Sequence, residues 1–140
     1  MPKSDYREEL LRSIDSSHQR LIKAVKGFNS EKATHPINKR ELADFPFMVW
    51  VELNEYVKVR KRANRFTDYL CFDTFMKKDG EFGEHFHDDI IESTEVVYGE
   101  LLDTSDGKVY KDGQVAHYEK EIKHTPIATK DTLLHVLFKP

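Results

Sequence analysis

The chain has 140 residues, of which 22 are Lys or Arg, 25 are Asp or Glu and 39% are apolar, a composition that fits one domain and excludes a large multidomain enzyme. A formal net charge of -3 gives no overall field for holding nucleic acid or an anionic membrane, so a partner has to be sought in a local site. The single cysteine, Cys71, excludes an intrachain disulfide scaffold and a cysteine zinc cluster.

The opening stretch MPKSDYREELLRSIDSSHQRL carries charge in every turn where a signal peptide needs a continuous apolar run, and no run of about 18 apolar residues follows. The expectation is a soluble, cytoplasmic protein with no membrane partner. Apolar residues at Tyr6, Leu10, Leu11, Ile14, Leu21, Ile22, Val25 and Phe28 keep a three-and-four spacing, which predicts an amphipathic helix over 4–27. His18 lies on its apolar stripe. Ser4 can cap its start, and Gly27 or Asn29 can supply the left-handed residue that ends it. Such a stripe packs on the rest of the chain or pairs with a second subunit.

Residues 30–44 read as a polar connector. His35-Pro36 disfavours helix, and Asn38-Lys39-Arg40-Glu41 has the form of a capping box that starts one or two helical turns. The predicted division is therefore 1–44, helix and connector, and 45–140, a β-rich body. After Pro46 the segments FMVWVELNEYVKVRKR and RFTDYLCFDTFMKK alternate in period two, as in Val49, Val51, Leu53 and Val57, Val59. Further strands are predicted at STEVVYGELLD, KVYKD, QVAHYEKEI and TLLHVLF, with turn signals at Asp79-Gly80, Ser105-Asp106-Gly107 and Asp112-Gly113. The texture is that of a barrel or sandwich.

Of seven histidines, His85 and His87 stand one residue apart in GEFGEHFHDDIIESTEVVYGEL. In an extended strand both point to one face, close enough to hold one ion, while Phe86 points away. Glu92 lies five residues beyond His87, an odd offset, so Asp88-Asp89 must bend the chain for Glu92 to join them. Two imidazoles and a carboxylate form a facial set of the kind that holds Fe(II) with coordination positions left open.

The spacing His85-x-His87-x4-Glu92-x6-Gly99 resembles the first motif of the cupin superfamily. The stretch GQVAHYEKEIKHTPIA, beginning at Gly113, resembles the second, with His124 at the place of its last histidine. It departs from the usual pattern at Glu119, Glu121 and Ala128, where the family shows Pro, Gly and Asn. The resemblance covers about two-thirds of the chain. It implies a mostly β, cupin-like double-stranded β-helix or jelly-roll barrel, preceded here by the N-terminal amphipathic helix. It also implies metal ligands at His85, His87, Glu92 and His124, with Gly99 and Gly113 at strand ends or turns.

Other residues take blander readings. His18, His135 and His117 are packed or hydrogen-bonded side chains, and Asp88 and Asp89 are loop carboxylates beside the site. Lys58, Arg60, Lys61, Arg62 and Arg65 form a solvated hairpin tip, since no phosphate loop accompanies them. Cys71 is a buried thiol without an adjacent base, with the barrel interior as a possible place for it. Tyr98, Tyr118 and His117 are placed by strand membership as pocket-lining candidates.

The reading that follows is a metal-binding protein using Fe, Mn, Ni or Zn, acting as a dioxygenase, isomerase or decarboxylase on an unidentified small molecule. The alternative is a non-catalytic cupin that senses a small ligand or a metal. A homodimer is expected because the strand edges of an open barrel need covering.

Overall fold

The computed structural model describes residues 38–63 and 69–140. The helix expected over 4–27 lies outside the described residues, as do most of the connector and Arg65. Among the described residues a short helix α1 (Lys39–Ala43) precedes nine strands: β1 (Trp50–Glu52), β2 (Val57–Arg62), β3 (Leu70–Met76), β4 (Ile91–Tyr98), β5 (Glu100–Asp103), β6 (Lys108–Lys111), β7 (Val115–Tyr118), β8 (Pro126–Ala128) and β9 (Thr132–Lys139). No helix there is long and apolar enough to cross a membrane.

The strands form two antiparallel sheets, one of six strands in the order β1-β2-β3-β9-β4-β7 and one of three in the order β6-β5-β8. Alternation decides which side chains enter the space between them. In β9, Thr132, Leu134, Val136 and Phe138 are buried while Leu133, His135, Leu137 and Lys139 are partly open. In β4 the inward row is Glu92, Thr94 and Val96. Phe72 meets Phe45 and Phe138 edge-on with both centroid separations at 5.9 Å, and each buried ring or aliphatic side chain contributes roughly 1.5–3 kcal/mol.

The core reaches ahead of residue 45, because Leu42 of α1 packs into it at 4% exposure. The helix is fixed from outside by Asp89, whose Oδ1 accepts the Lys39 backbone N–H at 3.0 Å. That contact ties the loop after His87 to α1.

Two basic and apolar segments differ from their sequence reading. Lys61 is no part of a solvated tip: it is 5% exposed, on the inward row of β2 with Val57 and Val59, and its Nζ donates to the Ala43 carbonyl. Burial lowers its affinity for a proton, with Asp44 acting in the opposite direction. Phe47, Met48 and Val49, expected in a strand, stand exposed ahead of the short edge strand β1, with Met48 in the left-handed region at φ 58°.

Gly99 carries the chain from β4 in the larger sheet to β5 in the smaller one. Its φ of 109° and the position of Thr132 Oγ1, which would lie 2.4 Å from an added Cβ, leave room for glycine alone. Gly113, at φ 81°, turns the chain between β6 and β7. Both glycines therefore sit where the sequence reading put them.

Candidate metal centre

The segment 84–90 bends between strands, and the bend at Asp88 and Asp89 reverses the facing that a straight strand would give. It brings Glu92, at the start of β4, to the side of His85 and His87. The histidine of the second stretch arrives by main-chain pairing: His85 N–H donates to the His124 carbonyl at 3.0 Å and His124 N–H donates to the His85 carbonyl at 2.9 Å. Glu121 N–H adds a bond of 2.7 Å to the His87 carbonyl. His85, His87, Glu92 and His124 are all buried, and one ligand atom from each lies within 4.8 Å of every other. These four side chains could hold a metal ion.

The ring nitrogens are sorted for that task. His85 Nδ1 lies 2.8 Å from the Gly83 carbonyl and His124 Nδ1 lies 3.1 Å from the Ile122 carbonyl. A carbonyl only accepts, so each Nδ1 carries the proton, and each Nε2 is the atom left to take a proton or a metal. His124 Nε2 is buried with no hydrogen-bond partner among the described residues, standing 3.3 Å from Glu92 Oε1 without the alignment of a bond. A buried polar atom in that state is costly unless something occupies its lone pair, which fits a metal ligand. His87 Nε2 lies 3.0 Å from the same carboxylate oxygen.

Glu92 is held from its other side as well, since Thr94 donates to Oε2 at 2.5 Å. Burial opposes its charge, yet His124 and His87 beside it keep its carboxyl well below the usual carboxylate range. Burial, with His124 and His87 adding to it, pushes His85 well below its ordinary value, so this imidazole is neutral. For His124 burial lowers and Glu92 raises, and Glu92 prevails. The set thus holds a charged carboxylate and a neutral His85 imidazole, donors that suit a divalent first-row ion.

Between the two sheets lies a cavity of about 70 Å³, lined in part by His85, His87 and Glu92. Tyr118 lines it, but Tyr98 and His117 do not: both are exposed, with the His117 ring between Ser93 Oγ at 3.2 Å and Glu119 Oε1 at 3.0 Å. Parity explains the difference, because Ala116 and Tyr118 face inward along β7 and His117 faces out. His135 and Cys71 lie on the outer face too, Cys71 Sγ 3.3 Å from His135 Nε2 and His135 Nδ1 3.6 Å from Asp73. Asp88 is exposed and outside the cluster.

Two contributors went unread in the sequence. Thr94 follows Glu92 by two residues and so shares its face, a relation visible once the strand's phase is known. Asp103 is the last residue of the predicted strand STEVVYGELLD, with no role assigned to it by that reading, yet it is 1% exposed. Its carboxylate accepts from Tyr118 Oη at 2.8 Å, Ser105 N at 2.9 Å and Thr125 N at 3.1 Å.

No family model matches the sequence and no curated protein matches it. Among solved structures the chain is similar to KdgF from Halomonas sp., 16% identical with a TM-score of 0.61, where 69% of this chain and 94% of that one are covered. It is similar to an RmlC-like cupin from Shewanella frigidimarina NCIMB 400, 19% identical with a TM-score of 0.59, over 66% of this chain and 84% of that one. An acetylacetone dioxygenase from Acinetobacter johnsonii is 11% identical with a TM-score of 0.54, over 64% of this chain and 67% of that one. At such identities the likeness is one of fold.

Proposed function

Because the chain is built on a cupin fold, we propose that it is a metal-dependent enzyme of small-molecule chemistry, holding a divalent transition metal through His85, His87, Glu92 and His124. The observation that carries this reading is the convergence of four buried donor groups, three of which, His85, His87 and Glu92, line the cavity, while His124 Nε2 has no hydrogen-bond partner among the described residues. Fe, Mn, Ni and Zn all suit nitrogen and carboxylate donors. Bound there, such an ion supplies Lewis acidity toward an oxygen atom of the substrate.

The chain's own residues do the rest. The Gly83 and Ile122 carbonyls fix the imidazole tautomers of His85 and His124, and Thr94 orients the carboxylate of Glu92. The surrounding apolar walls exclude bulk water, which strengthens every polar contact made inside. A dioxygenase, isomerase or decarboxylase reaction is in keeping with this arrangement, and likeness to an acetylacetone dioxygenase supports the oxygenase member of that group.

The test is elemental analysis of protein purified without nickel affinity resin, followed by turnover assays. About one equivalent of metal, lost in a His85→Ala/His87→Ala double variant that keeps its circular dichroism, is the expected result. Unchanged metal content in that variant would sink the site. Stoichiometric metal without oxygen uptake or substrate conversion across a panel of small carbonyl compounds would point to the sensor alternative.

A further inference from the structure

The cavity wall has a chemical character that narrows what can enter. Away from His85, His87 and Glu92 it is formed mostly by apolar side chains, among them Val59, Phe72, Leu134, Val136 and Phe138. Among the described residues no Lys or Arg lines it, so none of them compensates a phosphate or a second carboxylate there. The hydroxyl groups on the wall are largely committed. Thr94 donates to Glu92 Oε2 and Tyr118 donates to Asp103, so neither has a donor to give a sugar hydroxyl. Thr74, 4% exposed and facing the same space, is the one hydroxyl of the three without such a commitment.

We propose, resting on the metal reading above, that the cavity takes a small molecule with one metal-binding oxygen end and an apolar body of about three to five carbon atoms, and rejects phosphorylated and polyhydroxylated compounds. The size follows from the 70 Å³ volume, roughly half that of a cavity known to hold benzene. The polarity follows from the wall: each buried hydroxyl of a sugar-like ligand would lose its water partners against Val, Leu and Phe, while each methylene gains by leaving water.

The test uses the full chain loaded with Co(II) and a homologous series of straight-chain hydroxamates, whose two oxygens bind the metal while the tail varies. Visible absorption of the cobalt reads both metal binding and ligand binding. The dissociation constant should tighten about threefold to fourfold per added methylene from acetohydroxamate to valerohydroxamate and worsen again by octanohydroxamate. Phosphoglycolohydroxamate should bind no better than acetohydroxamate. An affinity indifferent to tail length, or tighter binding of the phosphorylated probe, overturns the proposal.

Failure of cobalt to bind would be failure of the metal reading instead. In that event methyl resonances of Val59, Leu134 and Val136 in the metal-free protein decide the cavity's character. Saturable shifts with valerohydroxamate and none with glycerol phosphate uphold an apolar small-molecule pocket, and the absence of shifts removes it.

Discussion

The phenol ring of Tyr118 lies flat on the imidazole of His124, with centroids 4.1 Å apart and planes 14° from parallel. Its hydroxyl is anchored in turn by the buried carboxylate of Asp103, which also accepts the backbone N–H of Thr125, the residue following His124. His124 is thus braced on its ring face and through its chain neighbour by the same acidic side chain. Burial and then the bond and charge of Asp103 push the Tyr118 phenol far above its ordinary value, so it stays protonated and a donor.

Tyr118→Phe keeps the stacked ring and removes one of three donors to Asp103. Urea unfolding should show a loss of about 1–3 kcal/mol, with cobalt affinity changed less than tenfold. Tyr118→Leu removes the stacked ring as well and should weaken cobalt binding by a further margin. Equal metal affinity in the two variants would show that the ring does not position His124.

Glu92→Gln preserves volume and removes the only carboxylate of the cluster. Isothermal titration should show cobalt affinity reduced on the order of 100-fold. The metal of the unaltered protein should also be released as the pH is lowered, because a proton on His124 Nε2 competes with the ion and Glu92 raises the proton affinity of His124. Retention of metal at pH 4 would contradict this set of ligands.

Cys71 offers a pH-dependent readout on the outer face. Burial raises its thiol above the ordinary value; Arg62 lowers it and Asp73 raises it further. The thiolate fraction at pH 8 is therefore smaller than in a free cysteine, and iodoacetamide should react more slowly than with a model peptide, the rate climbing only at higher pH. A rate equal to that of the peptide at pH 8 would show an open thiol.

Gly99→Ala should destabilise the fold by about 2–4 kcal/mol, combining an unfavourable backbone conformation with the collision against Thr132. Gly107→Ala is the control: φ is again positive, at 75°, but nothing lies within 4 Å, and about 1 kcal/mol is expected. Thermal melts of equal midpoint for the two would show that space at Gly99 is not limiting.

The strands and the first three members of the cluster could be read from the chain because period-two alternation and the His-x-His spacing are local properties. β8 could not be read so. It has three residues, begins with Pro126 and is held in place by its pairing with β5, a relation between distant segments. Lys61 illustrates a conflict between rules: alternation with Val57 and Val59 put it inside, its charge argued for outside, and the Ala43 carbonyl resolved the matter. Phe47 and Val49 illustrate the reverse, since apolar character alone does not say whether a segment is interior or edge. Asp103 was invisible because its three partners come from β7, the following turn and the loop after His124.

β9 is the last of the nine strands to leave the ribosome, yet it lies in the middle of the larger sheet, paired with β3 on one side and β4 on the other. With the first eight strands synthesised, no strand pairing within the larger sheet joins the β1-β2-β3 group to the β4-β7 group. Leu134, Val136 and Phe138, which wall the cavity beside the cluster, are still missing at that stage. Non-local pairing of this kind is slow to form, and it exposes strand edges to other nascent chains while it is pending. The order of synthesis therefore delays completion of the cavity beside the His/Glu cluster until β9 has been delivered, so a nascent chain cut short before β9 would carry the cluster at an open sheet edge without that wall.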